Sequence, residues 1–301
     1  MQTPYRGFFQ SLLPAALLVL LAGCAAPADR QLAQPGPGSA ERAARMLAGS
    51  YAGRPSSDGQ AEDSVELVRL HAQVQRIAAG GVETSMSQRR GDGPERNFIL
   101  VFRPTSVATR LDGTFSPLDD QDRPAGSCPM EVTLRSDGFV ARTNPATCRF
   151  GAGGDEVALI KEIAHDGQTL VIGDRVVDPE SGEKRMPDRV LQLQRVRSYS
   201  GWAGVRDPGS VDPASDWRMA DALAIQSDGL GLDPEDAAGM PLGVTLDLAP
   251  YQVRNGEPPV LRLRVFDTTS GALLGQSWAD PLATRIGLAL PTVQVGLRLA
   301  D

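Results

Sequence analysis

The sequence predicts an all-β fold in which an antiparallel barrel is followed by a second small β-domain. Short runs of alternating or continuous apolar residues follow one another between residues 97 and 197, with turn residues between them, as in a meander of strands. The chain of 301 residues also contains 32 Gly and 23 Pro, so turns are frequent. We therefore expect roughly eight antiparallel strands between residues 65 and 197, forming an up-and-down barrel or a half-open sandwich.

The N-terminus has the layout of a secretory signal peptide over residues 1–23. Arg6 precedes an apolar run that is too short for a comfortable transmembrane span. The run ends in Leu21-Ala22-Gly23-Cys24, which resembles the bacterial lipobox and predicts lipidation, typically with palmitate, at Cys24. Ala25 in the next position resembles the pattern that is sent on to the outer membrane. A plain signal peptide followed by a chance Cys is the alternative.

A tether over residues 24–38 and one short helix separate this anchor from the barrel. The tether lacks apolar periodicity and contains the Pro-Gly-Pro-Gly of residues 35–38. Ser39 is placed to cap a helix over residues 40–47, which we expect to plug or abut the barrel. The barrel itself is predicted over residues 39–197.

The strands of the barrel are predicted from period-two alternation and from the turns between them. Val68 to Gln75 alternates between apolar and polar residues, although the helix formers in this run leave a helix as the alternative. Asp166-Gly167 is typical of a hairpin turn, and a second hairpin is indicated at residues 178–182. Further strands are expected at residues 82–88, 98–102, 107–115, 130–134, 139–143, 157–160, 169–172 and 190–193.

The second domain is predicted over residues 198–301, where the pattern changes. A passage rich in Pro, Gly and Asp extends from residue 201 to residue 243. Apolar runs follow at residues 244–248, 260–266 and 286–299, and we expect them to form the strands of this small β-domain.

The net charge of the chain argues against one class of partner, and its cysteine content predicts a disulfide. The net charge of −7, with cations scattered along the chain, argues against nucleic acid as a partner. Because Cys128 and Cys148 are the two cysteines besides Cys24 in an exported chain, we expect them to form a disulfide. A reactive thiol or a metal pair is the alternative, but no His lies nearby in sequence, and we predict no metal site.

Short motifs lie along the stretch from about residue 46 to residue 196, at residues 47–51, 60–61, 88, 94–96, 128, 138–139, 148, 173–178 and 181–182. Together these motifs resemble the CpcT/CpeT-type chromophore lyase family, whose members fold as a calycin-like antiparallel barrel. The resemblance implies this fold and a possible internal cavity. Ser87 and Glu95 stand where bilin-handling members carry Glu and Tyr, so we expect that this chain does not attach bilins.

Three polar residues of the barrel are candidates for ligand binding. Gln88, Arg96 and Arg103 lie on or beside neighbouring predicted strands and would need a partner or an anionic ligand if they pointed into the barrel. Outward-facing arginines are the alternative. The two histidines, His71 and His165, are expected on a polar strand face and in a turn, and we predict no catalytic residue and no cofactor.

Two hypotheses on function follow. The first is an outer-membrane-anchored lipoprotein, facing the periplasm, that acts without catalysis as a binding or scaffold module for a small amphipathic ligand or an envelope protein. A purely structural role in an envelope assembly shares the sequence features of this hypothesis. The second is a chromophore lyase-like enzyme. A roomy barrel lined with aromatics and one acid or Arg would favour ligand handling inside the barrel, whereas a barrel packed with Leu, Val and Phe would favour a scaffold.

Overall fold

The computed structural model describes residues 38–53, 66–78, 81–151, 155–206, 209, 216–251 and 258–300. The predicted signal peptide, the lipidation site at Cys24, the tether up to residue 37 and the predicted loop over residues 54–63 lie outside these ranges. Residues 34–301 belong to one compact unit. No helix in the described part of the chain is long and apolar enough to cross a membrane.

Strands dominate the described residues, and one helix precedes them. The elements are α1 Ser39–Leu47, β1 Gly49–Gly53, β2 Val68–Arg76, β3 Val82–Arg90, β4 Arg96–Pro104, β5 Arg110–Pro117, β6 Cys128–Leu134, β7 Phe139–Thr143, β8 Arg149–Phe150, β9 Val157–His165, β10 Thr169–Val177, β11 Arg189–Arg195, β12 Ser198–Arg206, β13 Trp217–Gln226, β14 Val244–Tyr251, β15 Val260–Asp267, β16 Leu273–Ala279, β17 Arg285–Ala289 and β18 Val293–Leu299.

Ten strands close into an antiparallel up-and-down barrel, which confirms the predicted all-β class and the barrel. Strands β1 to β7 pair in chain order, β7 pairs with β9, and β9, β10 and β11 continue the meander until β11 pairs with β1. The short β8 pairs with β9 outside the ring. Nine of these ten strands lie between residues 65 and 197, where roughly eight were expected, and the tenth, β1, was not predicted. Strand β1 lacks alternation because three of its five residues are Gly or Ala.

Packed side chains fill the interior of the barrel. Along β4, Phe98, Leu100 and Phe102 are buried, and the residues between them face outward, as period two requires. The inward-facing side chains of all ten strands belong to one hydrophobic core. Tyr51, Phe102 and Phe139 are among its largest fully buried members. The barrel is therefore a packed core in this structure, as small barrels often are.

Helix α1 covers one end of the barrel, as predicted, and we call this end the helix-covered end and the opposite one the loop end. Ala40, Ala43, Ala44 and Leu47 are fully buried in the barrel core. The N-cap position is Gly38, not Ser39, whose hydroxyl oxygen is buried without a hydrogen-bond partner among the described residues. The predicted cap is wrong because the helix begins one residue earlier than expected.

The predicted disulfide between Cys128 and Cys148 is present at the loop end. Cys128 begins β6, Cys148 precedes β8, and their Cα atoms are 4.7 Å apart. Both side chains are buried in the barrel core. The bridge joins two segments that do not pair with each other in the sheet, so it fixes the turn after β7 to the barrel wall.

Two further sheets follow the barrel and enclose a second core. Their strand orders are β13-β12-β18-β17 and β14-β15-β16. Strands β12 and β13 were not predicted, because residues 201–243 are rich in turn formers and polar residues. The apolar run at residues 286–299 is two strands, β17 and β18, rather than one. Ala52 and Leu67 of the barrel pack against Ala249 of β14.

Candidate functional site

Gln88 and Arg96, two of the predicted ligand-binding residues, lie side by side at the loop end of the barrel. They are Cα partners on β3 and β4. Each occupies the inward-facing register, two residues from the buried Met86 and Phe98 respectively. Arg96 is exposed at the first position of β4. The structure thus brings these two residues together at the mouth of the barrel.

Arg103 does not join them. It lies near the opposite end of β4, on the outward-facing register, and it is exposed. Arg96 and Arg103 are seven residues apart, and an odd separation places two residues on opposite faces of a strand. The hypothesis that Arg103 points into the barrel is therefore wrong, and the spacing in the sequence already contained this information.

Ser87 and Glu95 form an exposed polar network on the outside of the barrel. The Ser87 hydroxyl donates to the Glu95 carboxylate, and Arg89 Nη2 donates to Glu95 Oε2 at 2.9 Å. These bonds, first from Ser87 and then from Arg89, lower the pKa of Glu95. The two positions that differ from the bilin-handling pattern therefore bind each other at the surface.

A buried lysine that the sequence analysis did not predict lies inside the barrel, towards the loop end. Lys161 is 6% exposed, and its Nζ lies 2.8 Å from Asp174 Oδ1. The same Nζ is 5.3 Å from the ring centroid of Phe98 and 5.1 Å from that of Phe115. One carboxylate and two ring faces compensate the buried charge. The ammonium group of Lys161 therefore already has its interaction partners within the barrel.

A second polar cluster lies under helix α1, at the helix-covered end. His165 is 3% exposed, and its Nδ1 accepts from the Gly167 backbone N–H at 2.9 Å. In the neutral imidazole the proton is then on Nε2, which lies 2.9 Å from Tyr51 Oη and donates to it. Tyr51 Oη in turn donates to the Met46 carbonyl at 2.8 Å. The expected surface position of His165 is wrong.

Arg195 completes this cluster and closes the end of helix α1. Its Nη2 donates to the Met46 carbonyl at 2.6 Å and to Tyr51 Oη at 2.8 Å, and its Nη1 donates to the Ala48 carbonyl at 2.5 Å. The last carbonyls of a helix lack intrahelical partners, and a cation there is favourable. We therefore assign a structural role to Tyr51, His165 and Arg195.

Burial sets the protonation states in this cluster. Desolvation and, to a smaller extent, the charge of Arg195 lower the pKa of His165 to about 4, against the opposing effect of Asp166. Desolvation raises the pKa of Tyr51 to about 12, against the opposing effect of Arg195. At neutral pH the His165 imidazole and the Tyr51 phenol are thus both neutral, and Arg195 carries the single charge of the cluster.

A groove on the outside of the barrel offers the space that the interior lacks. This β9–β10 groove has a volume of about 520 Å³, and its floor is formed by the outward-facing Ala158 and Ile160 of β9 and Val177 of β10. The hairpin after β10 and the turn after β7 form its walls. The remaining lining residues are Pro145, Ala146, Arg149, Arg175, Asp178, Pro179, Glu180, Ser181, Gly182 and Lys184.

Three cations, Arg149, Arg175 and Lys184, line the groove together with the carboxylates of Asp178 and Glu180. Arg175 and Lys184 share Asp188, at 3.4 and 2.9 Å. Arg149 pairs with Glu156 at 3.3 Å.

Asp178 organises the hairpin that forms one wall of the groove. Backbone N–H groups of Ser181 and Glu180 and the guanidinium of Arg185 donate to its carboxylate and hold its pKa well below the usual range. A wall held in place by several hydrogen bonds gives the groove a defined shape. Sequence reasoning identified this segment as a hairpin but not as part of a site.

The described residues of the groove include no histidine. Among the described residues, no group of three or more His, Cys, Asp or Glu side chains is placed to hold a metal ion. An apolar floor beside cationic groups suits binding of an amphipathic molecule with an anionic head. The chain matches no protein-family model and no curated protein.

Proposed function

We propose that this chain is an outer-membrane-anchored periplasmic lipoprotein that acts as a non-catalytic binding module. In this proposal the filled barrel is the scaffold, and the β9–β10 groove takes a small amphipathic molecule with an anionic head. The observation that carries the proposal is the apolar floor at Ala158, Ile160 and Val177 next to Arg175 and Lys184, which share the carboxylate of Asp188.

The two parts of the groove bind different parts of such a ligand. An acyl or other apolar tail covers the exposed part of Ile160, at about 25 cal/mol for each Å² of apolar surface buried, because Ala158 and Val177 are already buried. A carboxylate or phosphate head receives charge-assisted hydrogen bonds from Lys184 or Arg175 in competition with Asp188. Head and tail must be joined within about 520 Å³, so the ligand is small.

The proposed location at the outer membrane rests on the sequence. Leu21 to Cys24 and the following Ala25 support lipidation and sorting to the outer membrane. Each buried methylene of an acyl chain contributes about 0.8 kcal/mol, so two or more chains would hold the protein on a bilayer. An envelope protein partner is the other ligand class compatible with this address.

Calycin-like identity and lyase-like activity remain hypotheses that follow from the resemblance. We expect no bilin transfer, because Glu95 is engaged with Ser87 and Arg89 outside the barrel. Mixing the intact protein with phycocyanobilin and an apo-phycobiliprotein tests this expectation. An absorption band that shifts and survives denaturation means covalent transfer, and it would contradict the proposal in favour of the lyase.

Photo-crosslinking tests the groove directly. The full-length lipoprotein, purified from its host and placed in lipid nanodiscs, is irradiated with a diazirine analogue of laurate, and the labelled peptides are mapped by mass spectrometry. We expect labelled residues among 145–149, 158–160 and 175–184, with the label displaced by unlabelled laurate. Ile160→Asp should abolish this labelling because it places a carboxylate on the apolar floor.

Ile99→Asp is the matched control, since Ile99 is also a half-buried, outward-facing isoleucine of a barrel strand. It should leave the labelling pattern unchanged. Arg175→Gln leaves the floor intact and should weaken labelling by several-fold through loss of a head-group cation. Label spread evenly over the barrel, or insensitive to Ile160→Asp, would rule out the groove as the binding site.

A further inference from the structure

The outer face of the four-stranded sheet carries an exposed tryptophan and two exposed arginines, and we call this surface the Trp202 platform. It comprises Trp202 of β12, Gly296 and Arg298 of β18, and Arg285 and Gly287 of β17, with a concave volume of about 830 Å³ above it. The opposite face of the same strands belongs to the second core. The platform is thus the solvent side of a sheet that is buried on its other side.

The indole of Trp202 packs against the backbone of the neighbouring strand. Trp202 and Gly296 are Cα partners on adjacent strands. A Cβ at position 296 would lie 2.8 Å from the indole Nε1 and 2.9 Å from Cε2, so only glycine lets the ring approach the backbone. Trp202 is nevertheless 38% exposed, so part of the indole is accessible to a ligand.

Two arginines lie beside this ring without a carboxylate partner. Arg285 and Arg298 are Cα partners on β17 and β18, and both are exposed. Neither side chain forms a hydrogen bond or an ion pair with another residue of the described ranges. Like charges directly opposite each other on a sheet are destabilising. An anionic group bound between the two guanidiniums would remove this repulsion.

Polar groups around the ring offer hydrogen bonds in several directions. Asp221 of β13 and Ser200 of β12 line the same surface. Asp221 makes no side-chain hydrogen bond or ion pair within the described part of the chain. The indole Nε1–H of Trp202 likewise has no acceptor among the described residues. A ligand that lies on the ring therefore meets donors and acceptors on both sides of it.

We propose that the Trp202 platform binds an acidic saccharide. The apolar C–H face of a pyranose ring stacks on the accessible part of the Trp202 indole, and the carboxylate of the sugar lies between Arg285 and Arg298. Asp221 accepts hydrogen bonds from the sugar hydroxyls, and Ser200 can donate or accept them. A flat apolar face, an anionic group and several hydroxyls on one small molecule match the three features of the surface.

This site is distinct from the β9–β10 groove, because it lies on a different sheet and shares no residue with it. The inference goes beyond the proposed amphiphile binding and does not depend on it. Loss of ligand binding at the Trp202 platform would leave photo-crosslinking in the β9–β10 groove unchanged. Loss of labelling in the groove would likewise leave binding at the platform unchanged.

Saturation-transfer NMR with a matched pair of sugars tests the proposal. The intact mature chain in deuterated detergent is mixed with N-acetylmuramic acid or with N-acetylglucosamine, which lacks the lactyl carboxylate. We expect transfer to the ring protons of both sugars and binding of the acidic sugar at least about fivefold tighter, as a charge-assisted pair predicts. Trp202→Ala should abolish transfer to both. The double variant Arg285→Gln, Arg298→Gln should remove the preference while stacking persists.

Matched controls separate this site from general effects. Trp278→Ala removes a comparably exposed tryptophan, at 41%, from the three-stranded sheet, and it should leave binding unchanged. The pair Arg110→Gln, Arg135→Gln removes the same net charge from exposed positions of the barrel and should keep the preference.

Three results would overturn the proposal. The first is no binding of either sugar, and the second is equal binding of both sugars by the unaltered protein. The third is displacement by inorganic phosphate with no effect of Trp202→Ala, which would show a simple anion site that makes no use of the ring.

Discussion

The imidazole of His165 connects a single side chain to the acid stability of the barrel. Its folded-state pKa of about 4 lies below the ordinary value of 6.5, so the unfolded chain binds a proton more readily than the folded chain does. The stability that follows is fully present above about pH 6.5 and is lost as the pH falls towards 4. The full difference amounts to about 3 kcal/mol.

We expect His165→Gln to remove this part of the pH dependence. Glutamine keeps an amide that can reach Tyr51 but does not titrate, so the stability difference between wild type and variant should shrink from pH 7 to pH 4. Urea unfolding at a series of pH values measures this difference in the free energy of unfolding. His71→Gln is the control at an exposed position and should keep the wild-type slope. A parallel pH profile for wild type and His165→Gln would contradict the prediction.

Ser39 offers a second test at the residue scale. Its hydroxyl oxygen is buried and unpaired in the structure, whereas the sequence predicts a helix cap. Ser39→Ala removes this unsatisfied polar group and should raise the free energy of unfolding by about 1 kcal/mol. If Ser39 caps the helix, the same change lowers it by a similar amount. The sign of the shift in urea midpoint therefore decides between the two.

Some site residues were predictable one by one, and others were not. Strand parity alone separates Arg96 from Arg103. The same parity places Lys161 and His165 on one face of β9 with the buried Ile163. A lysine, however, is rarely buried in a protein interior unless it is paired with an opposite charge. That partner, Asp174, comes from the next strand, and pairing between strands is not written in a single run of sequence.

At the scale of elements, the disulfide has the clearest measurable effect. Cys128 and Cys148 are 20 residues apart, and closing such a loop in the unfolded chain is worth about 3 kcal/mol. The double variant Cys128→Ser, Cys148→Ser should therefore unfold at lower urea by this amount. Wild type treated with reductant is the matched sample, and its urea midpoint should fall by the same amount as that of the double variant. A reductant-insensitive wild type would show that the bridge does not form in the mature protein.

Elements with clear alternation were predictable, and elements that depend on distant partners were not. Strands β2 to β7 follow apolar patterns of period two. In contrast, β1 is a strand only because β2 and β11 lie on either side of it. Strands β12 and β13 are built around Gly201, Gly204 and small residues, whose strand propensity is low. Packing of β12 between β13 and β18 overrides that propensity.

At the scale of the whole molecule, the proposed lipid anchor would decide where the protein acts. We expect Cys24→Ser to leave an uncleaved, unlipidated precursor, because the lipobox resemblance requires a cysteine at the cleavage site. Metabolic labelling with a palmitate analogue, followed by intact-mass measurement, checks both outcomes. Cys128→Ser provides the control for loss of a cysteine elsewhere and should be labelled normally. Label that persists on Cys24→Ser would disprove the anchor.

The junction between the first and last barrel strands carries a consequence for how the chain folds. Strand β1 meets β11 through only two Cα pairs, against five between β1 and β2. The Arg195 bonds to Tyr51 and to the end of helix α1 reinforce this junction, and they join residues 144 or more positions apart. Contacts of such long sequence separation form late. In the proposed export through a membrane, the ring would stay open until β11, its last strand, has emerged, and the exposed edge of β1 would need protection until then.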